Sequence, residues 1–162
     1  AMARSNRGYL ALRDRDFLMA EEVEAIRGEL ANYRVLPYYS IENLLYHPEN
    51  ISSLEIPGFD PEAWTTEIRD WKNAHPLREL KFERGKIQEL RTIEALRRTK
   101  AHDSDAIAIY DAFASDDFEI FYPVFPQKKM PLDYLGQVNL TKDRLARAPW
   151  FKAKVQEITS DQ

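Results

Sequence analysis

The chain is organised around the stretch Gly8-Tyr-Leu-Ala-Leu-Arg-Asp-Arg-Asp-Phe17. Its first half, residues 9–12, is a short and nearly continuous apolar run, which is typical of a buried central strand in a parallel sheet flanked by helices. The run ends in Asp14-Arg15-Asp16. Because side chains alternate along a strand, we expect Asp14 and Asp16 to project together and Arg15 to point away from them.

The carboxyl end of a parallel strand is where ligands bind in open α/β sheets. Two carboxylates held close together repel each other, so they favour a hard cation with oxygen ligands, typically Mg²⁺. Asp-X-Asp is also a common tripeptide. A second copy, Asp103-Ser-Asp105, opens a predicted helix, where acids act as caps. The apolar run before Asp14 favours a metal site at the first copy.

The composition indicates one globular domain with a sizeable core, since the chain has 162 residues and is 44% hydrophobic. No apolar stretch approaches the ~20 residues that span a bilayer, and no signal peptide is apparent. The absence of cysteine excludes disulfides and zinc–thiolate sites and is compatible with a reducing cytoplasm, where we expect the protein to act. The net charge of -4 provides no general attraction to nucleic acid.

Two strands are predicted, near residues 8–13 and 34–39. Helical periodicity between them, over residues 19–33, predicts a right-handed crossover that places the strands side by side and parallel. Pro37 restricts the second strand to a sheet edge or to a few residues.

After Ser40, a plausible helix cap, the pattern is mostly helical. The predicted helices cover residues 40–46, a stretch that begins at Asp60-Pro61, residues 86–98, residues 106–113, and a last region capped by Thr141 and interrupted at Pro149. The stretch 118–125 is rich in aromatic residues but shows no clear period.

The predicted fold is therefore α/β, with an α/β core in residues 1–50 and a helical extension in residues 51–162 packed on it as one compact unit. Two strands alone do not make a stable parallel sheet. Either later segments add strands or part of the sheet precedes this sequence. The opening Ala1-Met2-Ala3 resembles a cloning remnant, which favours the second alternative.

Glu42 is the third acid of interest. It follows the second strand and is expected beside the carboxyl end of the first, with Asn43 placed to orient it or a water molecule. The alternative is that Glu42 is an ordinary acid in the first turn of a helix, stabilised by the helix dipole. The residues alone leave both readings open.

Residues 9–17, the following helix and residues 38–45 resemble the later half of Toprim-like domains that are fused to, or encoded beside, ABC-type ATPases. These include the overcoming-lysogenization-defect nucleases and related anti-phage systems. Residues 116–122 through Gln127-Lys128, and residues 145–152, resemble the carboxyl-terminal tail of such ATPases. The Asp-X-Asp and the Ile41-Glu-Asn43 stretch are the most specific parts of the likeness.

The resemblance implies a partial Toprim-like sheet and a nuclease dependent on Mg²⁺ or Mn²⁺, with Asp14, Asp16 and Glu42 as metal ligands. It implies Lys128 as the lysine that stabilises the phosphate, although Lys128 could equally be a solvated surface residue. The implied partners are nucleic acid, DNA rather than RNA, and an ABC-type ATPase domain in the same or a neighbouring chain. No membrane partner is expected, and the protein could form a homodimer.

The chain departs from the family pattern at its start. A Toprim domain begins with a strand bearing a glutamate, whereas only about seven residues precede the Asp-X-Asp strand here. Two-metal cleavage needs enough carboxylates for both ions, so we expect little nuclease activity from this chain alone. A non-catalytic module that binds an ATPase or another protein is the main alternative. A phosphohydrolase is disfavoured, because no nucleophile motif or phosphate-binding glycine loop is present, and no P-loop for ATP is found.

Overall fold

The computed structural model describes residue 8 and residues 10–76, 103–136 and 138–160. Over these residues the protein is mixed α/β, mostly helical, with a small parallel sheet of two strands. The helix predicted over residues 86–98 lies outside the described residues. Within the described ranges, no helix is long and apolar enough to pass through a lipid bilayer.

The sheet consists of β1 (Ala11–Arg13) and β2 (Tyr33–Val35), which are joined by helix α1 (Ala20–Glu29). The strands are parallel, with Ala11 opposite Tyr33 and Arg13 opposite Val35. The predicted order of strand, helix and parallel strand is therefore confirmed. A hydrogen bond from the backbone N–H of Leu36 to the carbonyl of Arg13, 2.8 Å long, continues the pairing beyond β2.

Both strands are shorter than predicted, and among the described residues β1 is neither buried nor central, contrary to the expectation. β2 ends two residues before Pro37, which has no N–H to continue a ladder. Helix α1 covers the face of the sheet that carries Tyr33 and Val35. Leu12, on the other face, is 38% exposed, because no further described segment adds a strand or a covering layer there.

The remaining described elements are helical, and two predicted helix starts are confirmed. Asp60 accepts hydrogen bonds from the backbone N–H groups of Glu62 and Ala63, and Thr141 accepts one from the N–H of Arg144. The α-helices are α2 (Ile41–Leu45), α3 (Pro48–Ser52), α4 (Pro61–Ala74), α5 (Asp103–Ala114), α6 (Phe118–Phe121), α7 (Lys142–Ala146) and α8 (Pro149–Ser160); three 3-10 turns cover Tyr122–Val124, Gln127–Lys129 and Asp133–Leu135.

The main core is aromatic and is filled largely by the stretch that lacked a clear sequence period. Phe121, Tyr122 and Phe125 are fully buried there, together with Trp64 and Ile68 of α4. The spacing of Trp64 and Ile68 places them on one face of α4. The aromatic side chains of α6 and of the 3-10 turn that follows it thus form the centre of the main core.

Two buried asparagines, Asn43 and Asn50, fasten the first fifty residues to the later ones, and we call them the asparagine joint. Both side chains are fully buried. Asn43 donates from Nδ2 to the carbonyl of Tyr122 at 3.0 Å and to that of Phe125 at 2.7 Å. Asn50 donates to the carbonyl of Leu145 at 3.1 Å. The joint holds α2, and hence the end of the sheet, in a fixed position.

Candidate functional site

The Asp14–Asp16 segment lies in a loop, because β1 ends at Arg13. One carboxylate oxygen of Asp14 accepts a 2.9 Å hydrogen bond from the backbone N–H of Ile41, the first residue of α2. Asp16 adopts a left-handed backbone conformation, with φ of 51°, and its N–H donates to the carbonyl of Tyr39 at 2.9 Å. We expected the two carboxylates to project in the same direction because they would continue the strand. The strand ends before both residues, so that reasoning does not apply to them.

Tyr39 connects three of the four residues that the sequence singled out. Burial raises the pKa of Tyr39 to about 12, and the negative charges of Asp16 and Asp14 add to the increase. On the same ring, the ammonium nitrogen of Lys128 lies 5.2 Å from the centroid, within cation–π distance. We call Asp14, Asp16, Tyr39 and Lys128 the Tyr39 cluster. The sequence contains no motif that marks Tyr39, so its role was missed.

Glu42 has its own cationic partner. One of its carboxylate oxygens lies 3.4 Å from the ammonium nitrogen of Lys142. Burial would raise the pKa of Glu42, but hydrogen bonds from its own backbone N–H and from Ser40, together with Lys142, hold it below its usual value. Glu42 is therefore ionised at neutral pH, and Lys142 balances its negative charge. It lies in the first turn of α2.

The Tyr39 cluster contains two carboxylates, those of Asp14 and Asp16. Within residues 10–76, 103–136 and 138–160, no three acidic or histidine side chains come close enough together to hold a metal ion. Mg²⁺ usually keeps several water ligands and is bound in proteins through one or two carboxylates. Asp14 and Asp16 can supply those two carboxylates, whereas a pair of ions would need more.

Asn43 does not orient Glu42 or a water molecule, as the sequence suggested it could. Its amide oxygen accepts from the backbone N–H of Ser40 at 3.3 Å and from the Ser40 hydroxyl at 3.0 Å. Its amide nitrogen is used by the two carbonyls of the asparagine joint. With both ends of the amide occupied, Asn43 is a structural residue.

His47, which the sequence did not single out, is the buried histidine of the described core. Its ring stacks on Trp150 with centroids 4.5 Å apart, and its Nδ1 accepts a hydrogen bond from the N–H of Glu49. Burial lowers the pKa of His47 to about 4. The ring lines a cleft of about 420 Å³ together with Glu49 and Arg69. At neutral pH this histidine is uncharged and packs as an aromatic residue.

Comparisons with models of protein families, with curated proteins and with solved structures find no match to this chain. The resemblance to Toprim-like domains therefore rests on the Asp-X-Asp and Ile41-Glu-Asn43 stretches of the sequence itself.

Proposed function

We propose that this chain is part of a Toprim-like, Mg²⁺-dependent nuclease that cleaves phosphodiesters of nucleic acid, DNA rather than RNA. In this proposal it works with an ABC-type ATPase domain, in the same or a neighbouring chain, in a phage-defence system. Asp14 and Asp16 are the metal ligands, and Lys128 is the cation that faces the phosphate.

The observation that carries the proposal is the position of the two aspartates. They follow β1 directly, at the carboxyl end of a strand in a parallel pair, where α/β proteins bind their ligands. Both charges act on the same tyrosine, Tyr39, and Lys128 lies over its ring. Two carboxylates can bind a divalent ion, and a lysine can neutralise the charge of a phosphate.

The roles of the protein groups follow from their chemistry. A bound divalent ion would polarise a phosphate oxygen and stabilise charge that develops on it. Asp14 and Asp16 would hold the ion, and the hydrogen bond from Ile41 fixes the orientation of Asp14. Lys128 provides a point charge for the substrate phosphate. Tyr39 stays protonated even well above neutral pH, because burial raises its pKa to about 12, and its hydroxyl is a hydrogen-bond donor.

Binding of Mn²⁺ by the full chain, followed by water-proton relaxation, tests the metal site. We expect one weak site in the wild type, and its loss in the Asp14→Asn/Asp16→Asn double variant with the fold retained by circular dichroism. The matched control is Glu67→Gln/Asp70→Asn, which removes two negative charges from exposed positions of α4. Unchanged Mn²⁺ binding in the Asp14/Asp16 variant would remove the metal site from the proposal.

A second candidate function is a non-catalytic module that binds an ATPase or another protein. Two observations favour it: the described residues bring no three metal-binding groups together, and Glu42 is already paired with Lys142. This alternative predicts no specific Mn²⁺ site in the relaxation experiment. Both candidates predict little Mg²⁺-dependent DNA cleavage by the chain alone. Robust cleavage that is abolished by Asp14→Ala would favour the nuclease and show that these carboxylates suffice.

A further inference from the structure

A cleft of about 320 Å³ lies beside the Tyr39 cluster and contains the arginine of the Asp-Arg-Asp sequence. Arg15 and Asp16 are its charged lining residues. Every other residue that lines it is apolar, contributed by residues 17–19, Pro37, α5 and residues 123–124. Its volume is within the range of about 300–1,000 Å³ that small-ligand sites occupy. The cleft thus combines a cation, a carboxylate and an apolar wall.

Arg15 is held in place from its own loop. Its side-chain Nε donates to the carbonyl of Leu18 at 3.1 Å, and its backbone carbonyl accepts from the N–H of Leu18 at 2.9 Å. Its backbone N–H donates to the carbonyl of Tyr38 at 3.3 Å. These bonds leave the two terminal nitrogens of the guanidinium for another partner, in a group whose orientation is already fixed.

The charge of Arg15 is not compensated within the described part of the chain. Arg15 is half-buried there, and none of the described carboxylates forms an ion pair with it. A partly desolvated cation without a counterion is costly, and an anion that accepts from both terminal nitrogens would relieve that cost.

We infer that this cleft binds one nucleotide unit of the substrate, with Arg15 on the phosphate and the apolar wall against the base. The inference rests on the proposed function, since it names the substrate subsite next to the same metal ligands. Guanidinium groups match phosphate oxygens in a bidentate manner, as lysine does not. A base would cover the apolar wall, which inorganic phosphate cannot do. Asp16 on the rim would repel the phosphate unless a divalent ion lies between them, so Mg²⁺ should strengthen binding.

Chemical-shift titrations of the full chain test this assignment, with thymidine 5′-monophosphate, inorganic phosphate and thymidine as probes, each with and without Mg²⁺. The nucleotide should bind more tightly than phosphate or thymidine, and more tightly with Mg²⁺. Arg15→Gln should weaken nucleotide binding about tenfold or more, the effect of losing charge-assisted hydrogen bonds. Ala108→Phe, at an exposed lining position of α5, should weaken it by filling the cleft while Arg15 remains.

The matched control is Arg147→Gln, which removes one exposed arginine, paired with Asp143, away from the cleft. It should leave nucleotide affinity unchanged. The inference is overturned if the nucleotide fails to bind at millimolar concentration, if phosphate binds as tightly, or if Arg15→Gln binds like the wild type. Mn²⁺ relaxation and nucleotide titration of the wild type, taken together, separate the two proposals. A retained Mn²⁺ site without nucleotide binding in the wild type would refute the subsite alone, and nucleotide binding without any Mn²⁺ site would refute the metal ligands alone.

Discussion

The asparagine joint and the Tyr39 cluster both contact the amino-terminal end of helix α2, but their polar groups differ in how fully they are hydrogen-bonded. In the joint, Asn43 uses both its amide oxygen and its amide nitrogen in hydrogen bonds to the protein. In the cluster and the adjoining loop, Asp16 has a left-handed backbone and Arg15 carries a half-buried charge that no described carboxylate pairs. Buried polar groups normally have hydrogen-bond partners within the protein. The asparagine joint follows this rule, whereas the charge of Arg15 has no partner of opposite charge among the described residues.

This difference separates structural polar residues from candidate functional ones more clearly than residue type does. Asn43 and Asp14 are both polar residues that contact α2 or belong to it. The amide of Asn43 is fully occupied within a dry core, whereas Asp14 gives one oxygen to the N–H of Ile41 and lies in a partly exposed loop. Groups that are partly occupied and partly exposed can still bind a ligand. Three experiments test this difference.

The largest effect is expected at the joint. Asn43→Leu would remove the acceptor of the buried N–H of Ser40 and one of the two hydrogen bonds that each of the carbonyls of Tyr122 and Phe125 accepts. An orphaned buried group costs about 1–3 kcal/mol and each lost hydrogen bond about 0.5–1.5 kcal/mol, so the free energy of unfolding should fall by about 4 kcal/mol in urea titrations. Asn139→Leu, at an exposed position, is the control and should change it by less than about 0.5 kcal/mol. Equal losses in the two variants would mean that the joint is no more important than a surface asparagine.

The joint also shows which parts of the fold sequence reasoning could reach. Helix starts such as Asp60-Pro61 and Thr141 depend on bonds within three residues, and local patterns predicted them correctly. The aromatic stretch 118–125 shows no clear period, because it forms only a four-residue helix and a three-residue 3-10 turn. Its place in the fold depends on Asn43, which bonds residues 79 and 82 positions away. Hydrogen bonds between residues so far apart in the chain produce no pattern within a short stretch of sequence.

The same limit applies to the candidate site. The placement of Asp14 and Asp16 after a strand could be predicted from the apolar run that precedes them. The direction of Arg15 was deduced from strand alternation, which does not apply once β1 ends at Arg13 and Asp16 turns left-handed. The pairing of Glu42 with Lys142 spans 100 residues and could not be predicted from spacing.

A smaller effect is expected at His47, and it should depend on pH. The folded protein holds the pKa of His47 at about 4 by burial, against an ordinary value of 6.5. Between these values the unfolded chain binds a proton at this position and the folded chain does not. The free energy of unfolding should therefore fall by about 3 kcal/mol as the pH is lowered from 6.5 to 4 on account of this residue.

Two variants that do not titrate isolate that contribution. His47→Phe keeps an aromatic ring against Trp150, and His47→Gln keeps an acceptor for the N–H of Glu49. In urea titrations at pH 7 and pH 4, both should lose less stability on acidification than the wild type, by about 3 kcal/mol. If all three proteins lose the same amount, the ring of His47 is hydrated in solution and is not a core residue like those of the joint.

The smallest effect is expected at Glu42, which lies between the two regions. The sequence placed it among the metal ligands, but its carboxylate is 3.4 Å from the ammonium of Lys142, whose side chain is 64% exposed. A partly exposed ion pair contributes about 0.2–1 kcal/mol, so Glu42→Gln should lower the melting temperature only slightly. If Lys142 is its partner, Mn²⁺ should raise the melting temperature of Glu42→Gln and of the wild type equally, since stabilisation follows affinity. Lys142→Gln should then cost about as much as Glu42→Gln. A smaller metal-induced shift in Glu42→Gln alone would instead make Glu42 a third ligand with Asp14 and Asp16, and would require the carboxylate to leave Lys142 when the ion binds.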